Sequence, residues 1–212
     1  MQRSRLETEN RLIEAVGQLV KESGFDHIGI NRVASQAGVN KILIYRYFGG
    51  LGGLLKAYFE RTRPTSSVPP IDIDQLKGAS LEVFFNTCYT YVIEEFRLLR
   101  HDIEAQELLK AKLLSNDGIV HAITAEKEKR LVKMVDDLSA IVHSSHARPF
   151  AAILVSSLTL LLFTGQQKRQ VMGIDPSTDE GWAEIEQALK NIFQGIYLFT
   201  KERLAASAKK SA

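Results

Sequence analysis

The chain contains 212 residues, 45% of them hydrophobic and 25% charged, which is typical of a globular protein of one or two domains. Its only cysteine, Cys88, excludes an intrachain disulfide and a cysteine-based metal cluster, and it fits a reducing cytoplasm. The formal net charge of +2 excludes little by itself, but residues 1–63 hold ten Lys and Arg against six Asp and Glu, whereas residues 64–212 hold seventeen against nineteen. The amino-terminal part, at +4, is therefore the part suited to contact phosphate.

Neither a targeting segment nor a membrane segment is predicted. The first ten residues, MQRSRLETEN, lack the apolar stretch of a signal peptide. The most apolar run, Phe150 to Phe163, is interrupted by two serines and a threonine and falls short of the roughly 18–20 residues that a membrane span requires. We therefore expect a cytoplasmic protein that contacts no membrane, with this run forming a buried helix.

Residues 6–23 are predicted to form an amphipathic helix that covers the back of the segment that follows. Gly24 ends this helix. Its apolar stripe consists of Leu12, Ile13, Val16, Leu19 and Val20. Near its start, Arg3, Arg5 and Arg11 either reach a phosphate or are solvated surface residues.

Residues 28–48 are predicted to form two short helices joined by a tight turn. Apolar residues recur at helical spacing in the first helix, at Ile30, Val33, Ala34 and Ala37. Gly38 allows the left-handed backbone that ends a helix, and Asn40 can cap the next one because its short amide reaches a free backbone N–H. The second helix extends to Phe48, where two glycines stop it. Two short helices around a glycine turn form a helix-turn-helix, whose second helix fits the DNA major groove.

Exposed side chains at the start of the second helix are candidates for base recognition. Asn40 and Lys41 project there, and Ile42 could contact a thymine methyl group. Lysine donates to guanine O6 or N7, which discriminates between bases by roughly 1–3 kcal/mol when well placed. Tyr45 and Tyr47 lie two residues apart and therefore point in different directions around the helix; Tyr45 contacts either DNA or the core.

The remainder of the chain is predicted to be helical, because no strand-like alternation appears. A fourth helix over 51–63 ends at Pro64, and the proline-rich segment 64–74 is predicted to be a linker. Further helices are expected over residues 75–96, 97–115, 119–143, 148–172 and 178–204. We therefore predict an all-α protein with an amino-terminal three-helix helix-turn-helix domain within residues 1–63, a carboxyl-terminal helical bundle over 75–205 and a disordered tail over 206–212.

The last two predicted helices carry broad apolar faces that indicate a homodimer. Residues 150–163 are too apolar to face water on any side, and a chain of this size has limited core to cover them. Proteins with one helix-turn-helix commonly bind DNA as two-fold dimers. The residues expected at the dimer interface are Leu154, Leu158, Leu161, Trp182, Ile185, Leu189, Ile192, Phe193 and Ile196. The alternative is that both helices are interior to the protomer.

The sequence from Ala34 to Gly50 follows the pattern A-x-x-A-G-V-x-K-x-x-x-Y-R-Y-F-x-G, which is similar to the DNA-binding signature of the tetracycline-repressor (TetR) family. The match extends upstream through Gly24-Phe25 and downstream through Leu54-Leu55, so it covers about residues 10–60. The rest of the chain resembles the family only in its length and helical character.

The resemblance implies DNA contacts for residues on both helices of the motif. It implies phosphate contacts for Tyr45 and Tyr47, and base or backbone contacts for Asn31 and Arg32. It also implies that the last two helices pair with those of a second copy in a four-helix bundle.

Two residues depart from the family pattern. Many relatives have Thr or Ser where Leu43 stands and Lys where Leu51 stands, and those side chains bind phosphate. Leucine cannot, although the backbone N–H groups around Leu51 can still do so.

The resemblance further implies that a small effector molecule binds within the second domain, enclosed by the helices over 75–172. The residues expected to line its pocket are Phe85, Cys88, Tyr89, Val92, His101, Glu104 and Leu108. Core packing is the alternative for each aromatic residue. Neither a cofactor nor a metal ion is expected.

Three other functions are alternatives to a DNA-binding regulator. An enzyme is disfavoured because the sequence contains no H-E-x-x-H, G-x-S-x-G, P-loop or G-x-G-x-x-G motif. A protein that organises DNA without controlling a promoter, and a helical adaptor with a degenerate motif, both stay open. The sequence predicts a dimeric regulator that binds a palindromic DNA operator. The resemblance implies that it is a repressor and that a small-molecule effector releases it from DNA.

Overall fold

The computed structural model describes residues 2–61, 68–114 and 118–211. Within these residues the secondary structure is helical apart from one isolated β-bridge, between Val171 and Ile174, which confirms the all-α prediction. The helices are α1 Gln2–Ser23, α2 Ile30–Ala37, α3 Ile42–Phe48, α4 Leu51–Arg61, α5 Ile73–Lys77, α6 Leu81–His101, α7 Ile103–Leu114, α8 Gly118–Ile141, α9 Ala147–Gln166 and α10 Asp179–Ser211, with a 3-10 turn over Phe25–His27.

The chain divides into two compact units, of which the first, the amino-terminal unit, comprises Met1–Ser67 and His101–Glu128. Its core is built around the predicted apolar stripe of α1. Leu12 and Val16 on α1 are fully buried with Val33 on α2, Ile44 on α3 and Leu54 on α4. Because each helix contributes to one core, α1 and α4 support α2 and α3 from behind.

Helix α7 belongs to the same unit as the helix-turn-helix. Ala111 is buried in the core of that unit, and Leu108 packs against it. The sequence predicts a second domain that begins at residue 75 and includes α7, so the compact units differ from the predicted domains over residues 101–128. The sequence does not show which unit α7 joins. An amphipathic pattern indicates that a helix packs against other residues, but it does not identify those residues.

The second, carboxyl-terminal unit comprises Val68–Arg100 and Lys129–Ala212. Its core joins α6, α9 and α10 around Trp182, which is almost fully buried. Two edge-to-face aromatic pairs connect α6 to α10, with 6.2 Å between the ring centroids of Phe85 and Tyr197 and 5.8 Å between those of Tyr89 and Phe193. Such pairs stabilise a core beyond the area they bury.

Several element boundaries differ from the predicted ones for local reasons. The predicted helix over 75–96 is divided, because α5 ends at Lys77 and α6 begins after Ser80, whose hydroxyl accepts a hydrogen bond from the N–H of Val83 at 3.2 Å. Helix α9 ends at Gln166, six residues before the predicted end. Helix α10 continues to Ser211, through alanine- and lysine-rich residues that the sequence predicts to be a disordered tail and that favour helix.

Helix α9 is the most apolar element, with a mean hydropathy of 1.6 in its most apolar window. Length and composition alone would let it cross a membrane, contrary to the expectation from the sequence. This is weak evidence, because a core helix of a soluble protein satisfies the same criteria.

Candidate nucleic-acid interface

Two left-handed glycines define the helix-turn-helix. Gly38, at φ 61°, ends α2, and its N–H donates to the carbonyl of Ser35 at 3.1 Å. Gly49, at φ 73°, ends α3 with a hydrogen bond to the carbonyl of Tyr45 at 3.0 Å. Both conformations disfavour residues with a Cβ atom, so the two glycines fix the length and direction of α3.

A third glycine lets α4 approach the end of α3. A Cβ atom at Gly53 would overlap the carbonyl oxygen of Phe48 and lie 2.9 Å from its carbonyl carbon. The glycine-rich start of α4 therefore brings the two helix backbones together, a role that a run of glycines in the sequence does not reveal by itself.

Asn40 lies two residues before the first residue of α3. Its side-chain oxygen accepts a hydrogen bond from the N–H of Ile42 at 2.9 Å. This confirms the predicted cap, which satisfies one of the free N–H groups at the helix start.

The outer face of α3 is exposed where the sequence predicts DNA contact. Ile42 and Tyr45 are 62% and 56% exposed, and Lys41 is exposed beside them. Ile44, on the opposite side, is fully buried. Tyr47 is half-buried, so of the two predicted phosphate-binding tyrosines it has the less accessible ring.

Asn31 and Arg32, at the start of α2, lie beside this face. The ammonium group of Lys41 donates to the side-chain oxygen of Asn31 at 3.2 Å, which joins the starts of α2 and α3. The guanidinium group of Arg32 lies 3.4 Å from the carbonyl oxygen of His27, a long hydrogen bond at most. Both side chains are exposed.

The amino-terminal arginines have different environments. Arg5 lies over the ring of Tyr47, with 5.1 Å from its guanidinium carbon to the ring centroid, and donates to Glu9 at 2.8 Å. The hydrogen bond to Glu9 raises the pKa of Arg5, which keeps it charged. Arg11 instead donates to the carbonyl oxygen of Ala37 at 2.5 Å, so it stabilises the end of α2 rather than reaching outward. The side chain of Arg3 lies outside the described residues.

The interface is cationic because it lacks carboxylates. Residues 27–59 contain no aspartate or glutamate, but they contain Arg32, Lys41, Arg46 and Lys56. All four basic side chains are exposed. Such a surface favours the DNA phosphate backbone.

The two residues that depart from the family pattern are both partly buried. Leu51 packs against the core of the amino-terminal unit. A leucine there contributes apolar contacts in place of the phosphate contact of a lysine.

The residues predicted to line an effector pocket are divided between the two units. Cys88 and Val92 pack with Phe85 and Tyr89 in the core of the carboxyl-terminal unit, and burial raises the pKa of the Cys88 thiol to about 12. His101, Glu104 and Leu108 belong to the amino-terminal unit.

Glu104 serves the amino-terminal unit as a structural residue. It accepts a hydrogen bond from the hydroxyl of Tyr58 and forms an ion pair with Lys21 at 2.7 Å. These contacts, which could not be predicted from the sequence, occupy its carboxylate within that unit.

A surface groove of about 320 Å³ lies between α6 and α10. Phe85 and Tyr89, two of the predicted pocket residues, line it. The opposite side is formed by residues of α10 that include Lys190 and Leu198.

Most of the residues predicted at the dimer interface lie in the core of the carboxyl-terminal unit. Six of the nine residues are buried within the core of a single protomer, where they cannot reach a partner: Leu154, Leu158, Trp182, Ile185, Leu189 and Phe193. Leu161 and Ile196 are partly buried against the same core. Ile192 alone of the nine is exposed. The strongest apolar faces of α9 and α10, which predict the interface from sequence, pack inward.

A weaker apolar face of α10 points outward. Ala188, Ile192, Gly195 and Phe199 follow one another at helical spacing and are all exposed; we call them the exposed stripe. Ile192 and Phe199 are 50% and 67% exposed. On α9, Ile153 and Leu160 are likewise exposed. The spacing of the stripe was visible in the sequence.

A short helix ended by left-handed glycines, with an exposed, carboxylate-free and cationic face, defines a helix-turn-helix DNA-binding protein. Comparison with protein families agrees, since residues 12–58 match the family described as bacterial regulatory proteins, tetR family. This part of the chain is therefore similar to the DNA-binding region of the tetR family of bacterial regulatory proteins. The matched segment runs from α1 into α4 and so contains the whole motif.

Comparison with curated proteins found no match. Among solved structures, the chain is similar to native NalD, the secondary repressor of the MexAB-OprM multidrug efflux pump in Pseudomonas aeruginosa. The identity is 17% and the TM-score 0.49, over 90% of this chain and 95% of that one. A similarity this low carries no argument about function.

Proposed function

We propose that the protein is a transcriptional repressor that binds a palindromic operator as a homodimer and releases it when a small effector binds. The observation that carries the DNA-binding part is the outward placement of Lys41, Ile42 and Tyr45 on one face of α3. A donor, an apolar group and an aromatic hydroxyl at the start of a recognition helix are groups that read base edges and phosphates.

The exposed stripe supports the homodimer. Ile192 and Phe199 are exposed to water in the single protomer. Burying them against a second copy would stabilise a dimer by about 25 cal/mol per Å² of apolar surface removed from water. Its small residues, Ala188 and Gly195, allow a second helix to approach closely. We therefore propose that α10 pairs with α10 of a second copy through the stripe, with Ile153 and Leu160 of α9 contributing beside it.

The effector site is proposed for the carboxyl-terminal unit. The groove between α6 and α10 has a volume at the lower end of the range of small-molecule sites. Its aromatic wall, with Phe85 and Tyr89, favours a largely apolar molecule. To release DNA, effector binding needs to weaken the free energy of DNA binding by only about 1–3 kcal/mol.

The proposal is tested by selecting DNA sequences that the purified protein binds from a random pool. We expect one enriched inverted repeat, bound with high affinity in a fluorescence anisotropy titration. Lys41→Ala and Tyr45→Phe should weaken binding to that repeat without altering the circular dichroism spectrum. Lys127→Ala, which removes another exposed lysine, on α8, is the control and should bind as the wild type does.

The outcomes separate the candidate functions. Enrichment of many unrelated sequences would indicate a protein that organises DNA, and no DNA binding at all would indicate an adaptor. Unchanged affinity in both α3 variants would show that α3 is not the recognition helix.

A further inference from the structure

The side-chain oxygens of the two asparagines in the interface are already used within the protein. Asn40 Oδ1 accepts from the backbone N–H of Ile42 at 2.9 Å, and Asn31 Oδ1 accepts from the ammonium group of Lys41 at 3.2 Å. Both donors require an oxygen as their partner, so the orientation of each amide is fixed chemically. One of the two lone pairs of each oxygen is therefore occupied within the protein, and each amide also carries an NH₂ group, which can only donate.

This orientation disfavours the paired contact by which asparagine recognises adenine. Asparagine reads adenine by accepting from the N6 amine with its oxygen while donating to N7. A rotation of the Asn40 amide that turned both its oxygen and its nitrogen toward an adenine edge would break the hydrogen bond to Ile42, at a cost of about 1 kcal/mol. The same rotation of the Asn31 amide would break its hydrogen bond with the ammonium group of Lys41.

The neighbouring side chains have the same character. The side chains of Lys41 and Arg32 contain hydrogen-bond donors and no acceptor atom, and Ile42 offers only apolar surface. Carboxylates, which accept from the N4 amine of cytosine, are missing from residues 27–59 altogether. The groups at the start of α2 and α3 therefore match bases that present acceptors and a methyl group.

We propose that this surface reads the keto bases, guanine and thymine, and that neither asparagine reads adenine. Guanine presents O6 and N7 as acceptors to Lys41, and thymine presents O4 together with the methyl group that Ile42 can contact. The protein then distinguishes base pairs by the keto base of each pair. It contacts guanine in a G·C pair and thymine in an A·T pair. This inference rests on the proposed function, because it assumes that α3 enters the major groove.

Base analogues placed singly in the selected operator test this inference. Replacing thymine by uracil removes only the methyl group and should weaken binding about fourfold at the position that Ile42 contacts. Replacing guanine by 7-deazaguanine removes N7 and should weaken binding at least about fivefold at the position of Lys41. Replacing adenine by purine, which lacks the N6 amine, should change affinity less than twofold at every position of the half-site.

Variants assign each effect to its residue. Ile42→Ala should abolish the difference between thymine and uracil, and Lys41→Met should abolish the difference between guanine and 7-deazaguanine. Asn40→Ser is the decisive variant, because serine caps a helix as well as asparagine does but cannot form the paired contact with adenine. It should keep the base preference of the wild type, whereas Asn40→Ala should bind more weakly than Asn40→Ser does.

Failure of this inference is distinguishable from failure of the proposed function. The inference is overturned if removal of an adenine N6 amine weakens binding and Asn40→Ser or Asn31→Ala abolishes that sensitivity. It is also overturned if neither uracil nor 7-deazaguanine affects binding. If no sequence is selected from the random pool, the proposed function itself fails.

Discussion

The carboxylate of Glu104, on α7, accepts a hydrogen bond from the hydroxyl of Tyr58, on α4. The same carboxylate pairs with Lys21 of α1, and this hydrogen-bonded ion pair raises the pKa of Lys21. Tyr58 is almost fully buried, so its hydroxyl depends on protein partners. Glu104 therefore ties α7 to two of the helices that support the helix-turn-helix.

Removal of that hydroxyl should destabilise the protein. We expect Tyr58→Phe to lower the free energy of unfolding by about 1–2 kcal/mol, because the hydrogen bond to Glu104 is part-buried and charge-assisted. Lys21→Met should cost less than about 1 kcal/mol, since the lysine is largely exposed. Urea unfolding followed by circular dichroism measures both. Equal stability of Tyr58→Phe and the wild type would show that the contact does not stabilise the folded chain.

The close approach of α4 to α3 should make Gly53 intolerant of substitution. Gly53→Ala forces its methyl group into the carbonyl of Phe48, so we expect a loss of about 1–3 kcal/mol of stability and weaker DNA binding through displacement of α3. The control is Gly29→Ala, where a Cβ meets nothing within 4 Å and φ is −140°. A Gly53→Ala protein that unfolds at the same urea concentration as Gly29→Ala would contradict the close packing.

The exposed stripe should control the oligomeric state. Phe199→Glu would bury an unpaired charge between the two copies, at a cost of about 3 kcal/mol or more, and should yield monomers. Leu198→Glu is a matched control, because Leu198 is 55% exposed but borders the groove between α6 and α10. Sedimentation velocity over a range of concentrations distinguishes the two. A wild-type protein that stays monomeric, or variants that behave alike, would exclude the stripe as the interface.

Cys88 should be unreactive in the folded protein. Burial raises the pKa of its thiol to about 12, so that at pH 8 the reactive thiolate is scarce in the native state and becomes more abundant only as the pH approaches that value. We expect a thiol reagent such as Ellman's reagent to modify Cys88 at pH 8 much more slowly in native protein than in urea. Native protein that reacts as fast as unfolded protein would show that the thiol is accessible.

The local features of the interface could be predicted because short-range chemistry determines them. Gly38, Gly49 and the Asn40 cap act on the backbone within a few residues of themselves, so their effect is readable wherever they occur. The exposure of Lys41 follows from helical periodicity for the same reason. The roles of Gly53 and Arg11 were not readable, because each depends on a backbone group contributed by another helix.

Sequence by itself determined the helix-turn-helix, the cationic character of its outer face and the all-helical class, since turn chemistry, charge and periodicity are properties of neighbouring residues. Only the tertiary structure decided which apolar faces meet. In the folded chain, Trp182 and Phe193 are buried within one protomer, and Ile192 and Phe199 are exposed to water. Glu104 accepts a hydrogen bond from Tyr58. The physical reason is that hydrophobic burial is not directional: an apolar stripe shows that a helix packs against something, and the partner is chosen only when the whole chain has folded.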